Sequence, residues 1–183
     1  AATGTAFPFT DVAESRWSYP YIKELYDAGV VSGTSATTFS PAANVTRAQF
    51  VTMLAGLAGA DVSNCPATPF RDVPEGAWYA PYVNWALANG IVSGTSAVTF
   101  SPDASITRQD MAVMLYSYTQ RFQVHLQQQP VKPFTDAGSI AAYAQIAVQT
   151  LQRAGVISGM PDGSFQPYGT ATREQACTML CML

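Results

Sequence analysis

The stretch NVTRAQF at residues 44–50 returns as SITRQDM at 105–111 and as TATREQA at 170–176. Each time a Thr stands directly before an Arg, and an apolar pattern of helical period follows. Thr46, Thr107 and Thr172 read as helix N-caps, whose hydroxyl accepts an amide N–H of the first turn. Gln49 and Gln175, three positions on, complete capping boxes, and Asp110 reads as a shorter version of the same device. The predicted helices carry core stripes of Phe50, Met53, Leu54 and Leu57, then Met111, Met114, Leu115 and Tyr118, then Met179 and Leu180. The methionines read as core packing rather than as a cofactor site.

Working outward, two further anchors repeat. FTDV at 9–12, FRDV at 70–73 and FTDA at 134–137 open each unit, and AGVVSG at 28–33, NGIVSG at 89–94 and AGVISG at 154–159 mark its middle. FSP, FSP and FQP, with Phe39, Phe100 and Phe165, lead into the Thr-Arg pairs. Asp11 to Arg47 and Asp72 to Arg108 are each 36 residues, and Asp136 to Arg173 is 37. An earlier helix is predicted over roughly 17–28, 78–89 and 143–154, with Pro20 and Pro81 in its first turns and Gly29, Gly90 and Gly155 at its left-handed end. Its buried stripe is Ile22, Leu25 and Tyr26, then Val83, Ala86 and Leu87, then Val148 and Leu151.

The chain is therefore expected to be all-α, as three tandem helix-loop-helix units at 7–60, 68–122 and 132–183. The linkers fall at 59–69 and 123–133, and the end of the second unit's long helix, YSYTQRF, is expected to run toward the latter. A single pair of helices in about 50 residues cannot bury both its stripes. Mutual packing follows, as a linear stack or as a closed pseudo-threefold unit.

With 183 residues, 48% of them hydrophobic and a net charge of −3, the composition is that of a globular chain and argues against nucleic acid, which requires a basic face. No apolar run reaches the ~18–20 residues of a membrane span, so no membrane insertion is expected. No charged segment followed by an apolar one marks a signal peptide, and the opening AATGTA reads as a mature N-terminus. Cys65, Cys177 and Cys181 are odd in number and lack a CxxC pair, which excludes a zinc framework. They read as core thiols, with a bond from Cys65 to one of the others left open.

F-x-D-V, W-x-x-x-Y, GVVSG, F-x-P and TR before an apolar helix together resemble the S-layer homology (SLH) family, over nearly the whole chain as three consecutive modules. The resemblance implies a pseudo-threefold trimer around a central three-helix bundle, monomeric, with ligand grooves between neighbouring modules. It also implies a secreted, cell-wall location and a tether that binds secondary cell-wall polysaccharide, often pyruvylated. This sequence departs from the family where its TRAE signature has Glu, at Gln49, Asp110 and Gln175. Only GMPDGSF at 159–165 matches the family's G-x-P-D-G-x-F loop. The third module also has Tyr143 where Trp17 and Trp78 stand.

An arginine inside a helix N-terminus opposes the helix dipole, so Arg47, Arg108 and Arg173 do not serve their own helices. An acidic sugar there is expected to meet a guanidinium fork together with unpaired first-turn N–H groups. Replacing one of these arginines is expected to leave folding intact, because the cap and apolar stripe remain. The competing reading pairs each Arg with Asp11, Asp72 or Asp136, or with a carbonyl of the next module. The aspartates read foremost as turn or cap residues. Trp17 and Trp78 are candidates for stacking on sugar or for groove walls, and Gly33, Gly94 and Gly159 for backbone conformation or close ligand approach. The shared GTSA loop and Trp predict that the grooves of Arg47 and Arg108 resemble each other more than that of Arg173.

No catalytic constellation can be assembled: His125 stands alone in a polar linker, no acid pair stands out, and no metal or cofactor motif is present. A non-catalytic wall-binding module is the expectation, with a protein–protein assembly module of a surface layer as the alternative.

Overall fold

The second helix of every repeat starts where its Thr stands. In the computed structural model, which describes residues 7–183, the helices are α1 (Tyr19–Asp27), α2 (Arg47–Ala58), α3 (Ala80–Ala88), α4 (Arg108–Arg121), α5 (Gln145–Arg153) and α6 (Arg173–Cys181). The opening AATGTA lies outside the described residues. Among these residues there are isolated bridges but no strand, and no helix is long and apolar enough to cross a membrane. Thr46, Thr107 and Thr172 each accept the amide N–H of the third helical residue.

Complete capping boxes form at Thr46–Gln49 and Thr172–Gln175 but not at Thr107–Asp110. The Asp side chain is one methylene too short to reach back, which corrects the expectation of an equivalent cap.

The first helices end as their glycines require. Gly29, Gly90 and Gly155 adopt φ of +77°, +71° and +76°. The residue after each glycine donates its N–H to a carbonyl five positions back: Val30 to Leu25, Ile91 to Ala86 and Val156 to Leu151. This is the Schellman arrangement, which satisfies carbonyls left over at a helix end. All three first helices start two residues later than predicted, at Tyr19, Ala80 and Gln145, and in the third repeat Ala142–Ala144 form a 3-10 turn ahead of the helix.

Each second helix packs on the first helix of the next repeat: α2 on α3, α4 on α5, and α6 back on α1. The contacts thus run in a closed cycle, and α2 also touches α6. Backbone bonds follow the same order. The first two amides of α2 donate to Ala104 and Pro102, those of α4 to Gly169 and Pro167, and those of α6 to Ala43 and Pro41. Each F-x-P loop therefore plugs the helix start of the repeat before it.

Phe39, Phe100 and Phe165 are fully buried in one core shared with Leu54, Leu115 and Leu180. Each such ring contributes roughly 1.5–3 kcal/mol by leaving water. The predicted methionine stripe lies in that core. Helix α4 outlasts α2 by two residues, and beyond its end Phe122 stacks on Trp85 at 6.1 Å between centroids. Cys65, Cys177 and Cys181 are unbridged. Burial pushes the Cys177 thiol up to about 12, although Arg173 opposes the shift, so it is an inert core group.

Candidate functional site

Each repeated Arg crosses to the following repeat. Arg47 Nε donates to the Phe100 carbonyl at 2.8 Å, Arg108 Nε to Phe165 at 2.8 Å, and Arg173 Nε to Phe39 at 2.9 Å. The guanidinium lies over the ring of the same Phe, 4.6–5.1 Å from its centroid, as a cation–π contact. All three arginines are only 5% exposed, and burial lowers each guanidinium below its ordinary value while leaving it a cation.

The aspartates hold the loop that presents this carbonyl. Asp11 accepts the N–H groups of Phe39 and Ser40, Asp72 those of Phe100 and Ser101, and Asp136 those of Phe165 and Gln166, all at 2.8–2.9 Å. The second residue of each pair has a left-handed backbone, with φ of 57–60°. Of the competing structural readings, the bond to a carbonyl of the next repeat is the one realised; among the described residues no Arg–Asp pair forms with Asp11, Asp72 or Asp136.

One expectation is overturned. The first-turn N–H groups beside each Arg are not free, since the neighbour's loop carbonyls take the first two and the Thr hydroxyl the third. The helix dipole is already met by protein oxygen, so a ligand there would engage the guanidinium edge alone.

Two cavities sit at these arginines. One, of about 470 Å³, is lined by Arg47, by Gly94 and its loop, by Asp110 and Met114 of α4, and by Tyr143. The other, of about 280 Å³, has Arg173, Gly33 and its loop, Gln49 and Met53 of α2, and Trp78. Both follow one rule: the Arg of one repeat, the glycine loop and second helix of the next, and an aromatic from the one after. By that rule the third groove combines Arg108, the Gly159 loop, α6 and Trp17. Residues flanking Trp17 are indeed anchored to α6, because Arg16 and Ser18 both bond Glu174, at 2.8 Å and 2.7 Å for the closest contacts. Trp17, Trp78 and Tyr143 are 54%, 58% and 63% exposed.

The glycines are steric necessities of the loop. A Cβ on Gly94 would come within 2.6 Å of the Phe70 ring and the Thr99 carbonyl, and one on Gly159 within 2.5 Å of Phe134. Gly33 has the same neighbours in its own repeat, Phe9 and the Thr38 carbonyl.

Sequence reasoning did not anticipate what Asp110 does. Its Oδ2 accepts Arg47 Nη1 at 3.1 Å, and its Oδ1 accepts the Tyr143 hydroxyl at 2.6 Å. Partial desolvation and the bond to Asp110 push the Tyr143 phenol up to about 12. The signal lay in the sequence as two departures from the repeat, Gln to Asp at 110 and Trp to Tyr at 143. Their meeting in one groove also cuts against the pairing of the Arg47 and Arg108 grooves. Among the described residues, only Arg47 of the three has a carboxylate in ion-pair range.

The S-layer homology domain model matches residues 8–51, 69–112 and 133–177. The chain belongs to the S-layer homology family. Its SLH modules are similar to segments of several larger proteins. An endoglucanase of Bacillus sp. (strain KSM-635) is 40% identical over 97% of this chain, a match that covers 19% of that protein. A cellulosome-anchoring protein of Acetivibrio thermocellus is 29% identical over 84% of the chain and 35% of its own length. An S-layer protein of Bacillus thuringiensis subsp. finitimus is 26% identical over 98% of the chain and 21% of its own length. The chain thus spans about a third or less of these relatives, and the part shared with the endoglucanase is this SLH segment.

Proposed function

We propose that the three SLH modules, at 7–60, 68–122 and 132–183, form a non-catalytic anchor that binds secondary cell-wall polysaccharide in the grooves between modules. On this reading it tethers a secreted surface or S-layer protein to the wall, as a monomer with internal pseudo-threefold order around its second helices. The observation that carries it is the recurrence of one lining in two cavities: a buried Arg, a glycine loop and an exposed aromatic, drawn from three different modules. The names of the cellulosome-anchoring and S-layer relatives support a role at the cell surface.

In the proposed sites, Arg47, Arg108 and Arg173 face the grooves, and where the outer Nη edge is not already paired it reads an acidic substituent such as a pyruvate ketal, since a guanidinium suits a carboxylate with two parallel bonds. Trp17 and Trp78 offer a flat apolar face to a sugar ring. Gly33, Gly94 and Gly159 keep the groove floor bare of side chains, and Asp11, Asp72 and Asp136 position the loop rather than touch the glycan. Several grooves on one polymer would strengthen attachment beyond any single contact.

Calorimetry with purified wall polysaccharide, intact and stripped of its acidic substituent, tests this. The intact polymer should bind and the stripped one bind at least about tenfold more weakly, the worth of one lost charge-assisted bond. No binding of either polymer, with capture of a surface-layer polypeptide instead, would favour the assembly role.

A further inference from the structure

The three grooves use the same repeat positions, yet their guanidiniums are committed differently. Arg173 gives Nε to Phe39 and Nη2 to the Ser32 carbonyl at 2.9 Å. Among the described residues, Arg108 gives only Nε, to Phe165. No side-chain nitrogen or oxygen is buried without a partner among the described residues, so both Nη groups of Arg108 reach solvent. Arg47 alone meets a carboxylate, Asp110, which Tyr143 holds from its other oxygen.

The cause is local. Gln49 and Gln175 bend back to their own caps, where each accepts the Thr amide at 3.0 Å. Asp110 occupies the same position but cannot reach, so its carboxylate faces the groove. Tyr143 supplies a hydroxyl where the other repeats have an indole.

We infer that Asp110 is a built-in substitute for the ligand's carboxylate. It satisfies Arg47, and its charge repels an acidic sugar from the 470 Å³ groove. Recognition of acid then falls to Arg108 and Arg173, and Asp110 is the residue that sets this difference among the grooves. The inference rests on the reading of the grooves as glycan sites.

The test uses the whole chain and a simple hexose methyl glycoside bearing a pyruvate ketal, with its carboxyl methyl ester as the uncharged control. The Nε–H resonances of the arginines, followed by nitrogen–proton NMR, report each groove separately. In the native protein the acid should shift Arg108 at concentrations that leave Arg47 unmoved. In Asp110→Asn the Arg47 groove should gain roughly ten- to a hundredfold in affinity for the acid and little for the ester. The fold should hold, because the cap at Thr107 uses the backbone N–H of residue 110. Native Arg47 responding as readily as Arg108, or no gain in Asp110→Asn while Arg108 still binds, would overturn the role of Asp110. No response at any of the three arginines in either protein would overturn the glycan reading itself, and this inference with it.

Discussion

Arg173 Nε donates to the carbonyl of Phe39 across 134 residues of chain, closing the cycle of modules from last to first. With Nη2 on Ser32 and the guanidinium over the Phe39 ring, this side chain is a clamp between the third module and the first. The sequence-based expectation that its loss leaves folding intact therefore changes.

Arg173→Ala should destabilise the protein by about 1–3 kcal/mol, since it leaves the Phe39 and Ser32 carbonyls without their donor. Arg173→Lys should cost less, keeping a charge but not the planar fork. Urea melts of both variants give the comparison. A loss of only a few tenths for the alanine variant would show that the clamp does not bear on stability, and binding assays need Arg→Lys beside Arg→Ala for the same reason.

Leu115 is fully buried in the shared core. Leu115→Ala should cost about 2–5 kcal/mol, the transfer of the side chain plus the cavity left behind. The melt should remain a single transition if the modules unfold together. Two resolved transitions would show that they unfold separately despite the common core.

Glycine substitutions separate strain from collision. Gly29 has φ +77° with open space around it, so Gly29→Ala should cost about 1–2 kcal/mol, the penalty of a left-handed L-residue. Gly94 has φ +88° and also the Phe70 ring and Thr99 carbonyl at 2.6 Å from an added Cβ. Gly94→Ala should be the more harmful in the same denaturation assay; equal losses would mean that the loop yields freely.

Acid should weaken the joint between the third module and the first. Burial by itself would push the Glu174 carboxyl up, but bonds from Arg16 and Ser18 outweigh it and hold the group below the ordinary glutamate value. A carboxylate depressed on folding contributes its stability above the unfolded pKa, about 4.3. That contribution is lost as pH falls through the lower folded value. Asp136, also held low by the Phe165 and Gln166 amides despite burial, acts with the same sign. Glu174→Gln should be less stable than the native protein near neutrality and lose less between about pH 5 and pH 3. Parallel pH profiles would remove Glu174 from the account.

Trp78 is more than half exposed and makes an edge contact with Tyr79. Trp78→Ala should change stability by no more than about 0.5 kcal/mol, as surface substitutions do. If the indole stacks on sugar, the variant should still weaken polysaccharide binding in calorimetry. Unchanged affinity would confine Trp78 to the groove wall.

Everything that depends on neighbours a few residues apart was legible in the sequence. Thr46 caps through Gln49, Gly29 ends α1 through Leu25 and Val30, Pro20 sits in a first turn, and Phe50, Met53 and Leu54 share a buried face. These are interactions within about one helical turn, so residue type and spacing specify them. The three-unit organisation followed from the repeat, because a helix pair of this size cannot bury its apolar stripes alone. Tertiary structure decided which partner each repeated residue meets. Spacing does not tell Arg47 whether its acceptor is Asp11, 36 positions back, or the Phe100 carbonyl, 53 positions on. Only closure of the cycle brings each F-x-P loop onto the preceding helix start and fills the amides that the sequence left open. The same closure turns the unspent carboxylate of Asp110 toward Arg47 and sets Tyr143 beside it. A side chain too short for its local partner takes whichever charge packing delivers, and that choice belongs to the assembled molecule.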